Sequence, residues 1–221
     1  METVKYNYLS RKRLNDILNK CDNQRMGIIG DSTLDIYWPV DMTKSELSRE
    51  TPYYPYPVID ERIDLGAGGN VAANLAVLSE AEIHLLTVVG KDWRGIEFKK
   101  VCQQKKINTE YIIETEERIT PAYCKPLIQG YSEIIYEAPR LDFINCDNIT
   151  KQLEINIKEK IDNLINDTDI LIISDQLEHG IINNAIREKI NTLGKRKTII
   201  VDSRQNIGKF TNVITKPNKM E

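Results

Sequence analysis

Three polar clusters carry residue types suited to holding a small polar ligand. The first is Gly30-Asp31-Ser-Thr-Leu-Asp35, directly after an apolar run. An ionised carboxylate accepts two or more hydrogen bonds, so Asp31 and Asp35 suit a ligand rich in hydroxyls; equally, they suit a loop or a helix cap. The second is Gly66-Ala-Gly-Gly-Asn70, with Asn74 one helical turn later. Glycines let a backbone approach a ligand and a helix N-terminus offers free N–H groups, but tight packing explains the same residues. The string is not a dinucleotide fingerprint, because Val71 stands where GxGxxG needs a third glycine. The third cluster is Pro217-Asn218-Lys-Met-Glu221. An Asn and a Glu three apart can face one site if a helix starts there, and can hold Mg²⁺ through its waters; a solvated chain end is the alternative.

These clusters follow elements that the apolar pattern defines. Leu9 to Lys20 reads as a short amphipathic helix opened by Ser10, and 26–30 (MGIIG) as a buried strand running into a loop. Asn70 to Ser79 reads as a helix, 83–89 as a strand, 92–105 as a helix and 110–113 as a strand. A helix at 150–165, a strand from Asp169 to Ser174, a helix at 181–193 and strands at 198–202 and 212–215 complete the series. Continuous apolar strands alternating with helices imply an α/β fold with a doubly wound, mostly parallel sheet. Two extended stretches, about 38–65 and 119–137, interrupt the alternation and predict a separate small β layer. In an open parallel sheet, ligands gather beyond the carboxyl ends of the strands, where all three clusters lie.

Composition narrows the partners. The net charge of −3 over 221 residues argues against a nucleic-acid or anionic-membrane surface. No run approaches the ~20 apolar residues of a membrane helix, and the N-terminus has no apolar core of a secretory signal. Cys21, Cys102, Cys124 and Cys146 form no CxxC pair and read as free thiols, and His84 and His179 lack ligand spacing for zinc. The expected location is cytoplasmic.

Taken together, the clusters resemble the PfkB, or ribokinase-like, carbohydrate kinase family, and within it the heptose-phosphate kinase domains of bifunctional ADP-heptose synthases. The matching strings are IIGDSTLDIYW (28–38), SELSRETP (45–52), GAGGNVAANLAVL (66–78), VVGKDWRG (88–95), PRLDF (139–143), ILIISDQ (170–176), IIVDSRQNIGKF (199–210) and VITKPNKME (213–221). The resemblance implies a ribokinase-like, Rossmann-like three-layer fold in one domain, 1–221, whose two insertions form a β-lid. It implies ATP-dependent phosphorylation of a sugar or sugar phosphate, with Asp31, Asp35, Gly68, Gly69, Asn70, Asn74, Arg140 and Asp142 on the sugar. It places Asp202, Asn218 and Glu221 toward ATP, with Asn218 and Glu221, in the family's N-x-x-E motif, arranging Mg²⁺. It also implies a homodimer paired through the lid.

Several positions depart from the heptose kinase pattern. The double glycine before the Asn helix is Gly66-Ala67, an expected Asp-Pro-Lys is Asp202-Ser203-Arg204, and Glu46 replaces a lid arginine. Gln-Leu-Glu-His (176–179) stands in a longer turn where a lysine is expected. The family's G-A-G-D loop, whose Asp acts as general base, occurs nowhere in the 221 residues. The expectation is therefore a chain truncated at its C-terminus, catalytically silent alone, and completed by a missing C-terminal half. A non-catalytic sugar-binding or dimerisation module is the rival reading. A Rossmann-type nucleotide-sugar or dinucleotide enzyme is a third, against which the absent GxGxxG and the lid insertions count.

Overall fold

The apolar runs fold into a parallel sheet in the computed structural model, which describes residues 9–218. In chain order the elements are α1 (Arg11–Cys21), β1 (Arg25–Gly30), β2 (Ser32–Asp41), β3 (Arg62–Ala67), α2 (Gly68–Leu78), β4 (Glu82–Leu86), β5 (Val88–Gly90) and α3 (Trp93–Gln104). There follow β6 (Ile113–Thr115), β7 (Ala122–Gln129), β8 (Ile135–Glu137), β9 (Leu141–Phe143), α4 (Lys151–Asp167), β10 (Ile170–Asp175), α5 (Asn184–Leu193), β11 (Thr198–Ser203) and β12 (Ile214–Thr215). Side chains at Ser10, Asp92, Thr150 and Asn183 cap α1, α3, α4 and α5 by accepting a backbone N–H of the first turn.

The main sheet has the order β12-β11-β10-β1-β4, every pair parallel. From β1 the chain goes first to β4 on one side and later to β10 on the other. The carboxyl ends of β1 and β10 therefore form the topological switch point, where such sheets place ligands. Gly30 ends β1 there with φ +149°, and a Cβ on it would lie 2.0 Å from the Ser174 carbonyl oxygen. Only glycine fits so close a passage.

One face of the sheet lies under α4 and α5. Leu153, Ile157, Ile161 and Leu164 repeat at helical spacing and are buried against Leu171, Ile173, Ile199 and Val201. On the other face, α2, α3 and the second sheet cover β1 and β4, burying Ile28, Ile83, Leu85, Ala72 and Phe98. Beyond them Ile170, Ile172 and Ile200 stay half-buried on that face, and Ile214 is exposed.

The second sheet runs β3-β2-β7-β8, with β9 also paired to β7. β2 is antiparallel to β3 and parallel to β7. This layer begins at Ser32, six residues before the expected insertion, because Leu34 and Ile36 alternate inward along a strand. It also gathers Leu141–Phe143, beyond the expected limit at 137. Most of 45–61 is irregular, tied to β2 by a bridge between Val40 and Val58. The single strand expected at 83–89 breaks at Thr87, so β4 joins the main sheet and β5 pairs with β6. The strand expected at 110–113 forms three residues later. Among the described residues no helix is long and apolar enough to cross a membrane.

Candidate functional site

β2 leaves the switch point with Thr33, Asp35 and Tyr37 on one face, the period-two consequence of a strand. β7 lies beside it in register, Asp35 opposite Tyr123 and Tyr37 opposite Lys125. Between this sheet and the ends of β10 and β11 is a cavity of about 190 Å³. Asp35, Lys125, Arg140 and Arg204 give it its charge, and Thr33, Ala67, Tyr123 and Gln176 also line it. Lys125 Nζ stands 3.2 Å from Asp35 Oδ1 and donates to the Tyr37 hydroxyl at 3.3 Å. Burial works against the Lys125 charge, but the bonds to Tyr37 and Asp35 prevail and raise its pKa. Arg140 grips Asp142 with two bonds of 2.6 and 2.7 Å and stacks 4.3 Å over the Tyr123 ring. Burial raises the pKa of Tyr123, so its hydroxyl stays protonated at neutral pH.

Asp31 takes a different part from Asp35. It is 2% exposed, and its Oδ2 accepts from the backbone N–H groups of Gln176 and Leu177 at 2.9 and 2.8 Å. Its Oδ1 accepts from Ile181 N–H at 2.8 Å. Burial pushes the carboxyl up to about 6 against the pull of those three donors. Asp31 thus shapes the 176–181 loop and presents Gln176 to the cavity.

The structure gathers Asp35 and Arg140 into the cavity, with Asp142 held on Arg140 at its rim. The other expected sugar residues lie elsewhere. The Gly68 N–H donates to the Asp31 carbonyl at 2.7 Å, and a Cβ on Gly69 would meet Leu65 and Phe98 at 3.1 and 3.2 Å, so both glycines serve close packing. Asn74 donates to Asn70 at 3.2 Å on the outward side of α2, and neither lines the cavity. Ala67, where the heptose kinase pattern has glycine, keeps the positive φ of +48° at the cavity wall.

Thr33, Tyr123, Lys125 and Gln176 escaped the sequence reading. Along β7 the alternation of Tyr123 and Lys125 with buried Ala122 and Cys124 is the signal that could have found two of them. Thr33 is fully buried and its hydroxyl has no partner among the described residues.

The residues expected to face ATP are only partly described. Glu221 lies outside the described residues. Asp202 accepts from Gln176 at 3.0 Å and faces Lys216 Nζ at 3.3 Å. A carboxylate so placed is no open ligand for a cation, and among the described residues no three His, Cys, Asp or Glu converge on a metal position. Asn218, the other residue expected to arrange Mg²⁺, lies at the end of the described residues and is a neutral amide of the kind that holds this ion through its waters. Lys216 and the exposed Arg204 are cations at that edge suited to a phosphate.

Comparison with known proteins bears out the resemblance. Residues 61–144 match the pfkB family carbohydrate kinase family. The bifunctional protein HldE of Helicobacter pylori (strain HPAG1) is 30% identical over 202 residues, which span 88% of this chain and 41% of that protein. The HldE of Syntrophotalea carbinolica is 25% identical over 201 residues, 90% of this chain and 39% of that protein. The chain thus spans about two fifths of the length of these curated relatives. Among solved structures, a carbohydrate kinase from Agrobacterium tumefaciens superposes with a TM-score of 0.57 at 15% identity, over 80% of this chain and 53% of that one. Ribokinase of Arabidopsis thaliana, solved with ribose and ATP, gives 0.51 at 15% identity, over 81% and 53%. Identities this low show the fold alone, and that fold is ribokinase-like.

Proposed function

We propose, for a chain similar to pfkB family carbohydrate kinases, that the cavity beside Asp35 is the acceptor site of a carbohydrate kinase, closed by the second sheet as a lid. The observation that carries this is the convergence of Asp35 with Lys125, Arg140 and Arg204 at the switch point of the main sheet. A half-exposed carboxylate next to donor groups suits sugar hydroxyls, which both give and accept hydrogen bonds. With Lys125 held by Asp35 and Arg140 by Asp142, the exposed Arg204 is the lining cation that favours a sugar carrying a phosphate. ATP is the donor on this reading, with Mg²⁺ arranged by Asn218 and by Glu221, which lies outside the described residues. Phosphoryl transfer depends on positioning and electrostatics, and this chain positions the acceptor.

The test is a binding titration of monosaccharides and their phosphates, repeated with Asp35→Asn. Losing a charge-assisted acceptor costs about 1.5–3 kcal/mol, so affinity should fall by about ten- to a hundredfold. Unchanged affinity in the variant would make Asp35 a strand residue with no ligand role. Sugar-dependent ADP formation by a longer protein that joins this chain to a G-A-G-D segment tests the kinase step, and bound sugar without ADP there would leave a binding module without turnover.

A further inference from the structure

Next to the cavity of Asp35 lies another, of about 280 Å³, between the loops that leave β10 and β11 and the start of α5. Gln176, Leu177 and Arg204 line both, so the two are adjacent. Each is smaller than the ~300 Å³ at which drug-sized pockets begin, which is room for one ring-sized group apiece.

The lining of the second cavity is selective about chemistry. Its charges balance, Arg187 and Arg204 against Asp175 and Glu178. Asp175 is 5% exposed; its Oδ2 accepts from Ser203 Oγ at 2.7 Å and Asn206 Nδ2 at 3.2 Å, and Arg187 stands 4.0 Å away. Six carboxamides complete the polar wall: Asn148, Gln176, Asn183, Asn184, Gln205 and Asn206. Each carries both donors and an acceptor. A phosphate would meet two carboxylates there and an ammonium ion two guanidinium groups. Among the described residues no aromatic ring lines the cavity for a nucleobase to stack on. A polyol, whose hydroxyls donate and accept in turn, matches such a wall.

The wall is also incompletely satisfied. Arg187 is 6% exposed; it donates from one terminal nitrogen to Asn184 Oδ1 at 2.7 Å and from the other to the Ile182 carbonyl at 3.3 Å, while its buried Nε has no partner among the described residues. Buried donors are ordinarily paired, and leaving one unpaired is costly.

We infer that the second cavity is a polyol subsite, receiving the far end of an extended carbohydrate whose near end lies beside Asp35. This rests on the reading of the first cavity as a carbohydrate site. The ligand class is therefore a disaccharide rather than a single pyranose.

The full chain should be titrated by calorimetry with three pairs: glucose and maltose, mannose and mannobiose, glucose 6-phosphate and trehalose 6-phosphate. In at least one pair the larger sugar should bind about tenfold more tightly, the value of one or two added hydrogen bonds. Asn184→Ala and Gln205→Ala, both at exposed positions whose folding can be checked by thermal melting, should each shrink that advantage to less than about threefold and leave the smaller sugar's affinity unchanged. Asp35→Asn should weaken both members of the pair. Equal affinity within every pair, or an advantage that survives both alanine variants, overturns the subsite and leaves the first cavity standing. Failure of all six sugars to bind overturns both.

Discussion

The carboxylate of Asp31 accepts from three backbone N–H groups, whereas that of Asp35 faces Lys125 at the edge of a cavity. Their spacing in the sequence is four residues, yet the turn at Gly30 and the strand after it send them to different tasks. Asp31 sets where Gln176 and Leu177 stand, and those two residues line both cavities. Removing the carboxylate leaves one buried and two part-buried donors without an acceptor, the buried one costing about 1–3 kcal/mol before the loop relaxes. Asp31→Ala should therefore destabilise the fold by about 2–5 kcal/mol, with the loss centred on the 176–181 loop. Hydrogen exchange measures this directly: the amides of Gln176, Leu177 and Ile181 should lose protection more than those of β4. Uniform loss across the main sheet would mean that Asp31 supports the core rather than the loop.

At the scale of elements, α4 and α5 are joined by one buried acid. Glu154, in the first turn of α4, accepts from Lys158 at 2.9 Å, from the Asn183 amide at 2.7 Å and from Lys151 at 3.3 Å. Asn183 is the cap of α5, so this carboxylate holds the start of one helix to the start of the other. The bond from Lys158, then that from Asn183, lowers its pKa from 4.5 to about 2 despite burial. A depressed acid stabilises the fold above its unfolded value and loses that stabilisation as pH falls through the folded one. The melting temperature should thus drop between about pH 4.5 and 2, and Glu154→Gln should flatten that fall while costing about 1–3 kcal/mol at neutral pH. An unaltered acid slope in the variant would place the sensitivity elsewhere. Of the helix starts, only that of α1 was legible by its cap, Ser10, and the other helices were legible as segments between the apolar strands, their caps at Asp92, Thr150 and Asn183 emerging with the structure. The five parallel strands were legible as apolar runs. What was not legible was where the second layer begins, since Gly-Asp-Ser-Thr carries loop-forming residues and only the register with β3 and β7 makes Ser32 a strand residue. The site was half legible for the same reason. Asp35 announces itself by type, while Lys125 and Gln176 acquire a role only through the pairing of β2 with β7 and the bonds that Asp31 makes across the switch point.

At the scale of the whole molecule, two of the apolar surfaces outside the core bear on association. One is the face of the main sheet past α2, where Ile170, Ile172 and Ile200 are half-buried and Ile214 is 57% exposed at the edge strand β12. The other is the arm between the short turn after β2 and β3, where Tyr53, Tyr54, Tyr56, Val58 and Ile59 are all exposed within seven residues. Contiguous apolar exposure of this kind marks interaction surfaces, and an open strand edge invites pairing. The arm is tied to β2 by the bridge at Val58, so its side chains are presented from the rigid second sheet rather than from a free tail. We therefore expect the chain to associate through the arm and second sheet, as a dimer or larger, with light scattering giving a mass above that of one chain. Val58→Glu puts a charge in the middle of that surface, which like-charge repulsion across a symmetric contact would make costly, and should return the mass to one chain. Ile214→Lys serves as the control at the sheet edge and should leave association intact. If the masses respond the other way, with Val58→Glu still associated and Ile214→Lys monomeric, the contact runs through the uncovered sheet face. A single-chain mass for the unaltered protein at high concentration would remove both surfaces from consideration.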